Sequence, residues 1–202
     1  MGGVLVDVQR DRAIRNFQAI GLSDADTLID SYHHKGIFYD FEKGAIDAAE
    51  FCRLLCEYTG KSIPREKVES AWKSIIDPPP TYKLEYLHEL RKSYRLFLLT
   101  NNNPIIMSWT CSPDFTPSGS LSSYFDKCYV SYQMKCMKPD LKIYRMLIED
   151  AAIDPAETLF VDDSELNIQA AKSCGMKVLL VENSSDWRNE VVEATGNDKF
   201  CF

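Results

Sequence analysis

Two adjacent aspartates, Asp162 and Asp163, are the residues of this sequence best suited to chemistry. They directly follow the apolar run Leu159–Val161, and a helical pattern begins at Ser164. Two neighbouring carboxylates repel each other, so such a pair is stable at a strand end when water or a cation lies beside it. Asn167 is four residues beyond Asp163 and can face the same crevice. The pair is consistent with a cation site, and a solvated turn that caps the helix is the alternative.

Further polar groups follow two other apolar runs. Leu96–Leu99 ends in Thr100, Asn101 and Asn102, where a hydroxyl and backbone N–H groups suit a phosphate. Lys138 precedes a proline, which holds it extended at the start of a predicted helix. Taken singly, each feature has an alternative explanation: the polar residues after Leu99 can form an ordinary capped turn, and Lys138 can be a surface lysine. The combination, with each group at the end of its own strand, is far more specific than any one part.

The elements that must position these residues alternate between short apolar strands and helices. The predicted strands are Leu96–Leu99, Cys128–Ser131, Leu159–Val161 and Val178–Val181. This alternation predicts an α/β fold with a doubly wound parallel sheet. Ligands of such sheets bind at the carboxyl ends of the strands, where the polar groups lie.

The preceding part of the chain has a helical pattern. Residues 11–76 carry apolar side chains at helical spacing, apart from Lys35–Gly44, an aromatic and polar stretch between glycines that we predict to be a loop. Asp77 and three prolines then break the pattern. We therefore expect a helical block over residues 11–76, separated by this break from the α/β part of the chain.

Composition excludes several classes of protein. The chain has 202 residues, of which 45% are hydrophobic and 26% charged, as is usual for a soluble globular protein. Its net charge of −7 argues against a nucleic acid or an anionic membrane as partner. No apolar run reaches the ~20 residues of a membrane helix. Seven cysteines without a CxxC motif predict reduced thiols in a cytoplasmic protein.

Four segments resemble the motifs of a known family, the haloacid dehalogenase superfamily. Residues 98–101, Lys138-Pro139 and residues 160–163 resemble its motifs II, III and IV, and residues 2–7 resemble the tail of motif I. The helical block resembles the cap that this family inserts after motif I. The resemblance thus implies an α/β core formed by residues 1–10 and 77–202, with residues 11–76 inserted as the cap. The resemblance spans essentially the whole chain and is closest to bacterial sugar-phosphatase-like members.

The resemblance implies Mg²⁺-dependent hydrolysis of a small phosphorylated metabolite through an aspartyl-phosphate. It assigns the catalytic roles to Thr100 and Lys138, and phosphate or substrate binding to Asn101 and Asn102. The implied ligands of the metal and its waters are Asp163, Asp162, the Gly2 carbonyl and Asn167. In the cap, the candidate substrate contacts are His33, Lys35, Phe38 and Glu42; packing of the cap on the core is the alternative role for these four.

One departure from the family pattern concerns the nucleophile. The family's nucleophilic aspartate lies two residues before the first glycine of motif I, and here Met1 directly precedes Gly2. The resemblance thus places the nucleophile upstream of Met1, on the central strand of the sheet, and Gly2 at the position of the usual general acid. We expect a start site that lies further upstream. Alternatively, residues 4–6 fill the vacant strand and present Asp7 at its end.

Other functions remain compatible with the same fold. A phosphomutase or a carbon–halogen dehalogenase would need a different general acid or cap. A non-catalytic phosphate- or metal-binding protein would have lost its nucleophile. Magnesium-dependent turnover separates an enzyme from such a binding protein.

Overall fold

The computed structural model describes residues 1–30 and 34–196. The helices of the amino-terminal part are α1 (Arg10–Ala19), α2 (Ala25–Leu28), α3 (Ile37–Lys43), α4 (Ala48–Thr59) and α5 (Arg65–Lys73). The strands are β1 (Phe97–Thr100), β2 (Lys127–Val130), β3 (Leu159–Asp162) and β4 (Lys177–Leu180). The remaining helices are α6 (Thr81–Leu90), α7 (Pro104–Thr110), α8 (Ser131–Met134), α9 (Leu141–Ala151), α10 (Glu165–Ser173) and α11 (Arg188–Thr195).

The four strands form two parallel pairs, which confirms the predicted α/β class. β1 pairs with β2, with Leu98 opposite Cys128. β3 pairs with β4, with Phe160 opposite Val178. Each strand lies within one residue of its predicted bounds. The boundaries were predictable because each apolar run stops at a polar side chain, which cannot enter the core without a partner.

A groove separates the two strand pairs. Within the described residues, β1 and β3 belong to different two-stranded sheets. The groove between them has a volume of about 590 Å³ and is lined by apolar residues of both strands, together with Met1, Val4 and Leu5. Residues 4–6 do not form a strand there, because the N–H groups of Leu5 and Val6 both turn back to the Met1 carbonyl, at 2.8 and 3.1 Å. The alternative that these residues fill the sheet is therefore wrong.

The helices of residues 10–73 enclose an aromatic cluster. Phe38 is fully buried, with its ring centroid 5.1 Å from those of Phe17 and Phe51 and 5.3 Å from that of Trp72. Phe41 stacks on Phe51 at 4.6 Å. These rings pack α1, α3, α4 and α5 around one core, and such aromatic pairs add to the free energy of simple area burial.

The predicted loop at Lys35–Gly44 is wrong, since α3 occupies most of it. Gly36 and Gly44 lie at the two ends of this helix with φ values of 56° and 75°. The glycines mark helix boundaries, because a residue in the left-handed region terminates a helix and glycine adopts it without strain. Phe38 and Phe41 are three residues apart and therefore share the buried face of α3.

Residues 23–30 contain less helix than the predicted helical pattern of residues 11–76 implies. Only α2, with four residues, is helical in the described part of this stretch. The longest described helix is α4, with 12 residues. None of the described helices is long and apolar enough to cross a membrane.

Candidate active site

The turn after β1 is fixed by hydrogen bonds of its asparagines. Asn103 caps α7, because its side-chain oxygen accepts from the N–H groups of Ile105 and Ile106, both at 3.1 Å. Thr100 is buried and its hydroxyl donates to the Asn101 carbonyl at 3.2 Å. Because Asn103 caps α7, the backbone of this turn lies at the amino end of a helix, a position that favours anions.

Asn101 clamps the segment that carries Lys138. Its side-chain oxygen accepts from the Lys138 N–H at 2.8 Å, and its side-chain nitrogen donates to the Lys138 carbonyl at 2.9 Å. The two bonds fix both sides of one residue from a neighbouring strand end. Asn101 thereby positions Lys138 from the turn that follows β1.

Lys138 forms a buried ion pair with Asp162. The ammonium lies 2.6 Å from the Asp162 carboxylate, and both residues are buried. Asp162 also accepts from the Asn167 side chain at 2.7 Å and from the Ser164 N–H at 3.0 Å. Burial alone would raise the pKa of Asp162, but the charge of Lys138 and the hydrogen bonds from Lys138 and Asn167 lower it. This carboxylate is therefore kept ionised.

Asp163 differs from its neighbour in both position and electrostatics. Asp163 lines a cavity of about 120 Å³, which is separate from the groove between the strand pairs. Burial together with the charge of Asp162 raises the pKa of Asp163. A Cβ atom at Gly3 would lie 2.0 Å from an Asp163 carboxylate oxygen. Only glycine fits at that point, because the backbone approaches the carboxylate closely and its φ is +75°. A bound cation would remove the repulsion between the two aspartates.

The donor set beside Asp163 fits a hard cation such as Mg²⁺. The Asn167 side-chain oxygen is buried and has no hydrogen-bond partner in the described part of the chain. Gly2, Asn167 and Asp163 all line the cavity. Carboxylate, amide and backbone oxygens are the ligands that Mg²⁺ prefers. Among the described residues no group of three His, Cys, Asp or Glu side chains is placed to hold a metal, so an ion at this point would need further oxygen ligands besides these.

The cavity of about 120 Å³ connects the two sides of the site. The core side brings together most of the predicted residues: Gly2, Thr100, Asn101, Asn102, Lys138, Asp163 and Asn167. The side formed by the amino-terminal helices contributes Asp30, His34, Glu42 and Trp72. Apolar side chains, among them Val8 and Ile106, close the space between them.

Several predicted residues do not reach the cavity. Asp162 lies behind Lys138 and does not line it. Phe38 is fully buried in the aromatic cluster, and Lys35 is exposed, so the structure does not bring either to the cavity. Asp7 does not line it either. His33 lies outside the described residues.

Sequence reasoning missed several residues of the site. His34 and Trp72 line the cavity, but in the sequence His34 lies in a polar stretch and Trp72 resembles an ordinary member of an apolar helical stretch. The hydroxyl of Ser131 donates to the Glu42 carbonyl at 2.6 Å and accepts from the Asn102 N–H at 2.9 Å. This serine joins the turn after β1 to α3, a contact between residues 89 positions apart.

The fold and the site together define a class of enzyme. β3 ends in Asp162, which forms the buried ion pair with Lys138, and the next residue, Asp163, lines the cavity to which the amino-terminal helices also contribute. A family model described as haloacid dehalogenase-like hydrolase matches residues 3–175, and the chain belongs to this family.

Individual relatives are similar over nearly the whole chain. The D-ribitol-5-phosphate phosphatase of Bacteroides thetaiotaomicron is 44% identical over 191 residues, which cover 94% of this chain and 93% of that protein. A haloacid dehalogenase family enzyme of the same bacterium, solved with magnesium and inorganic phosphate, is 38% identical with a TM-score of 0.87, covering 94% of this chain and 95% of that one. A hydrolase of this type from Porphyromonas gingivalis has a TM-score of 0.91 at 37% identity, covering 95% and 93%. The chain is a phosphatase-type hydrolase of this family.

Proposed function

We propose that this protein is a magnesium-dependent phosphatase of small sugar or sugar-alcohol phosphates. The observation that carries the proposal is the convergence of Thr100, Lys138 and Asp163 on one cavity. A hydroxyl, an ammonium and a metal-binding carboxylate are the groups that phosphoryl transfer requires. The similarity to a D-ribitol-5-phosphate phosphatase supports the substrate class.

Each core residue has a role in this proposal. The Thr100 hydroxyl and the Asn101 N–H bind phosphoryl oxygens, and the Lys138 ammonium compensates the negative charge. Asp163, the Gly2 carbonyl and Asn167 would hold Mg²⁺, which neutralises charge on the phosphoryl group when bound. Positioning and charge compensation of this kind provide most of the catalysis in phosphoryl transfer.

The nucleophile in this proposal is an aspartate on a strand that fills the groove between β1 and β3. Within the part of the chain that the structure describes, each of these strands is paired on one side only, and unpaired backbone groups beside an apolar groove favour addition of a strand. Met1 lines both the groove and the cavity, so a strand on residues preceding Met1 would end at the site. An added carboxylate would also supply one of the further oxygen ligands that the ion needs.

The proposed reaction has two steps. The aspartate oxygen forms a bond to phosphorus as the ester P–O bond breaks, and the released alkoxide takes a proton from solvent. Water then attacks the aspartyl-phosphate and releases inorganic phosphate, which restores the carboxylate. Lys138 faces the negative charge in both steps, which is why its buried ion pair belongs to the mechanism.

We propose further that residues 11–76 act as a cap over the site and that the enzyme works in the cytoplasm. The helices α1 to α5 contribute one side of the cavity, as a cap would. The six cysteines in the described part of the chain are free thiols, which supports a reducing compartment.

The first experiment uses the protein purified from its natural host. Its intact mass is compared with the 23.1 kDa of this chain, and phosphate release is measured from ribitol 5-phosphate and from hexose phosphates with Mg²⁺ or with EDTA. We expect a mass larger by ~1 kDa, one strand of residues, and turnover that EDTA abolishes. Asp163→Asn should abolish this turnover.

The contrary outcomes are equally clear. Phosphate binding without release of product would identify a non-catalytic binding protein. A mass equal to that of this chain together with full activity would contradict the proposed strand and nucleophile. Unchanged activity of Asp163→Asn would contradict the metal role of this residue.

A further inference from the structure

The helical side of the cavity contains a buried donor without a partner. Trp72 is 1% exposed and lines the cavity. Its indole nitrogen Nε1 is buried and has no hydrogen-bond acceptor among the described residues. A buried N–H that has lost its water is unfavourable until an acceptor reaches it. The cavity is where such an acceptor can enter.

The orientation of this donor is fixed by packing. The centroid of the Trp72 ring lies 5.3 Å from the ring centroid of Phe38, 5.7 Å from that of Phe17 and 5.8 Å from that of Phe51. A ring held on several sides cannot rotate to find another acceptor without breaking the cluster. The indole N–H is therefore a preorganised group, and binding to it costs little conformational entropy.

Two polar side chains, His34 and Glu42, line the cavity on the same side as Trp72. The His34 ring lies 5.5 Å from the Trp72 ring. Its Nδ1 accepts from the Asp30 N–H at 3.1 Å, which leaves Nε2 to carry the ring proton, 3.6 Å from the Glu42 carboxylate. This side of the cavity thus offers donors and an acceptor close together, as a hydroxyl group requires.

We propose that Trp72 determines specificity by donating its indole N–H to a hydroxyl oxygen in the organic part of the substrate, with His34 and Glu42 beside it. This inference rests on the proposed function, because the phosphate must lie at Thr100 and Lys138 for the carbon chain to extend toward Trp72. The class of ligand is a short polyhydroxylated phosphomonoester. An alkyl phosphate of equal length would leave the N–H unpaired, and such unpaired groups are the usual basis of strong discrimination.

The kinetic test compares two substrates, ribitol 5-phosphate and n-pentyl phosphate. Trp72→Phe removes the N–H and retains an aromatic ring in the cluster. We expect kcat/KM for ribitol 5-phosphate to fall about tenfold, mainly through KM, and kcat/KM for pentyl phosphate to change by less than about twofold. Trp109→Phe is the matched control, since Trp109 packs on Phe115 at 5.0 Å and does not line the cavity. Equal losses on both substrates, or no loss on either, would overturn the proposal.

A binding measurement is independent of turnover. The chain has three tryptophans, so ¹⁵N-tryptophan labelling gives three indole signals, and the Trp72→Phe variant assigns one of them. With EDTA present, ribitol 5-phosphate should shift the Trp72 indole proton downfield, whereas pentyl phosphate and inorganic phosphate should not. No selective shift would refute the role of Trp72. If the wild-type protein hydrolyses neither ester, the proposed function fails, and this titration still decides the role of Trp72.

Discussion

The core side and the helical side of the cavity hold their polar groups in different ways. On the core side, Lys138, Asp162 and Asn101 are fixed by short reciprocal hydrogen bonds of 2.6 to 2.9 Å. On the helical side, Trp72 is fixed by neighbouring rings, and its N–H remains without an acceptor in the described part of the chain.

This difference follows from charge. A buried ammonium or carboxylate is stable only with a partner, so the core side needs its own network before substrate arrives. A neutral indole N–H costs much less when unpaired, and packing alone can hold it for a ligand. In our proposal, the core side compensates charge and the helical side provides selectivity.

Removing the charge of Lys138 on the core side is expected to have the largest effect on both activity and stability. Lys138→Ala should lower kcat by about 10³-fold, because phosphoryl charge is no longer compensated. It should also destabilise the fold by about 3–5 kcal/mol, since Asp162 is left buried and unpaired. Steady-state kinetics and urea unfolding measure the two effects.

The double variant Lys138→Ala with Asp162→Asn separates the effect on the reaction rate from the effect on stability. It should recover much of the lost stability, because the unpaired charge is gone, and none of the activity. A near-native rate in the single variant would contradict the assignment of Lys138 to charge compensation.

On the helical side, the equivalent change removes a ring from the aromatic cluster, and we expect it to lower stability rather than the reaction rate. Phe38→Ala removes a fully buried ring from the aromatic cluster and should cost about 3–5 kcal/mol in the free energy of unfolding, with kcat retained at temperatures where the protein is folded. The matched control is Tyr39→Ala on the same helix, where the side chain is exposed and the expected change is within about 0.5 kcal/mol. A raised KM with native stability would instead support the sequence-based prediction that Phe38 contacts substrate.

Asn101 sharpens the comparison because it positions a charged residue without carrying charge. Asn101→Ala removes both bonds to the Lys138 backbone and should destabilise the fold by about 1–3 kcal/mol. The rate should fall about tenfold or more, since small displacements of a catalytic group are costly. Asp47→Ala is the control: Asp47 caps α4 by accepting from the Glu50 N–H at 2.9 Å and does not line the cavity, so loss of this helix cap should cost about 1 kcal/mol and leave kcat unchanged. Equal kinetic effects of the two variants would refute the positioning role.

The smallest expected effect concerns the pH dependence of stability. The folded protein raises the pKa of Asp163 above its ordinary value of 3.8. The contribution of this group to stability is therefore fully present below that value and is lost as the pH rises through the folded-state pKa. In EDTA at neutral pH, Asp163→Asn should be slightly more stable than the wild type, and the difference should vanish in acid. Thermal unfolding at several pH values measures this, and a less stable variant at neutral pH would contradict it.

Local sequence was sufficient for the strands and for most of the core site. The runs before Thr100 and Asp162 are apolar and end abruptly in polar groups, so the strand ends and the polar groups at them were predictable. The parallel arrangement then brings Thr100, Lys138 and Asp163 to one cavity, as expected of residues at the carboxyl ends of such strands.

The helical side was less predictable, because its signals are ambiguous at short range. Gly36 and Gly44 suggested a loop but terminate a helix, and Phe38 suggested a substrate contact but packs among other rings. An aromatic side chain has the same local pattern in both roles, and only its neighbours, distant in sequence, distinguish them.

What the sequence by itself determined is thus the fold class, the family and the polar strand ends. Tertiary structure alone placed Trp72 and His34 at the cavity, joined Ser131 to Glu42, and separated the strands into two pairs with a groove between them. The physical reason is the range of the interactions. Strand ends follow from the local balance of burial and polarity, whereas a cavity wall is formed by contacts between elements that many residues separate.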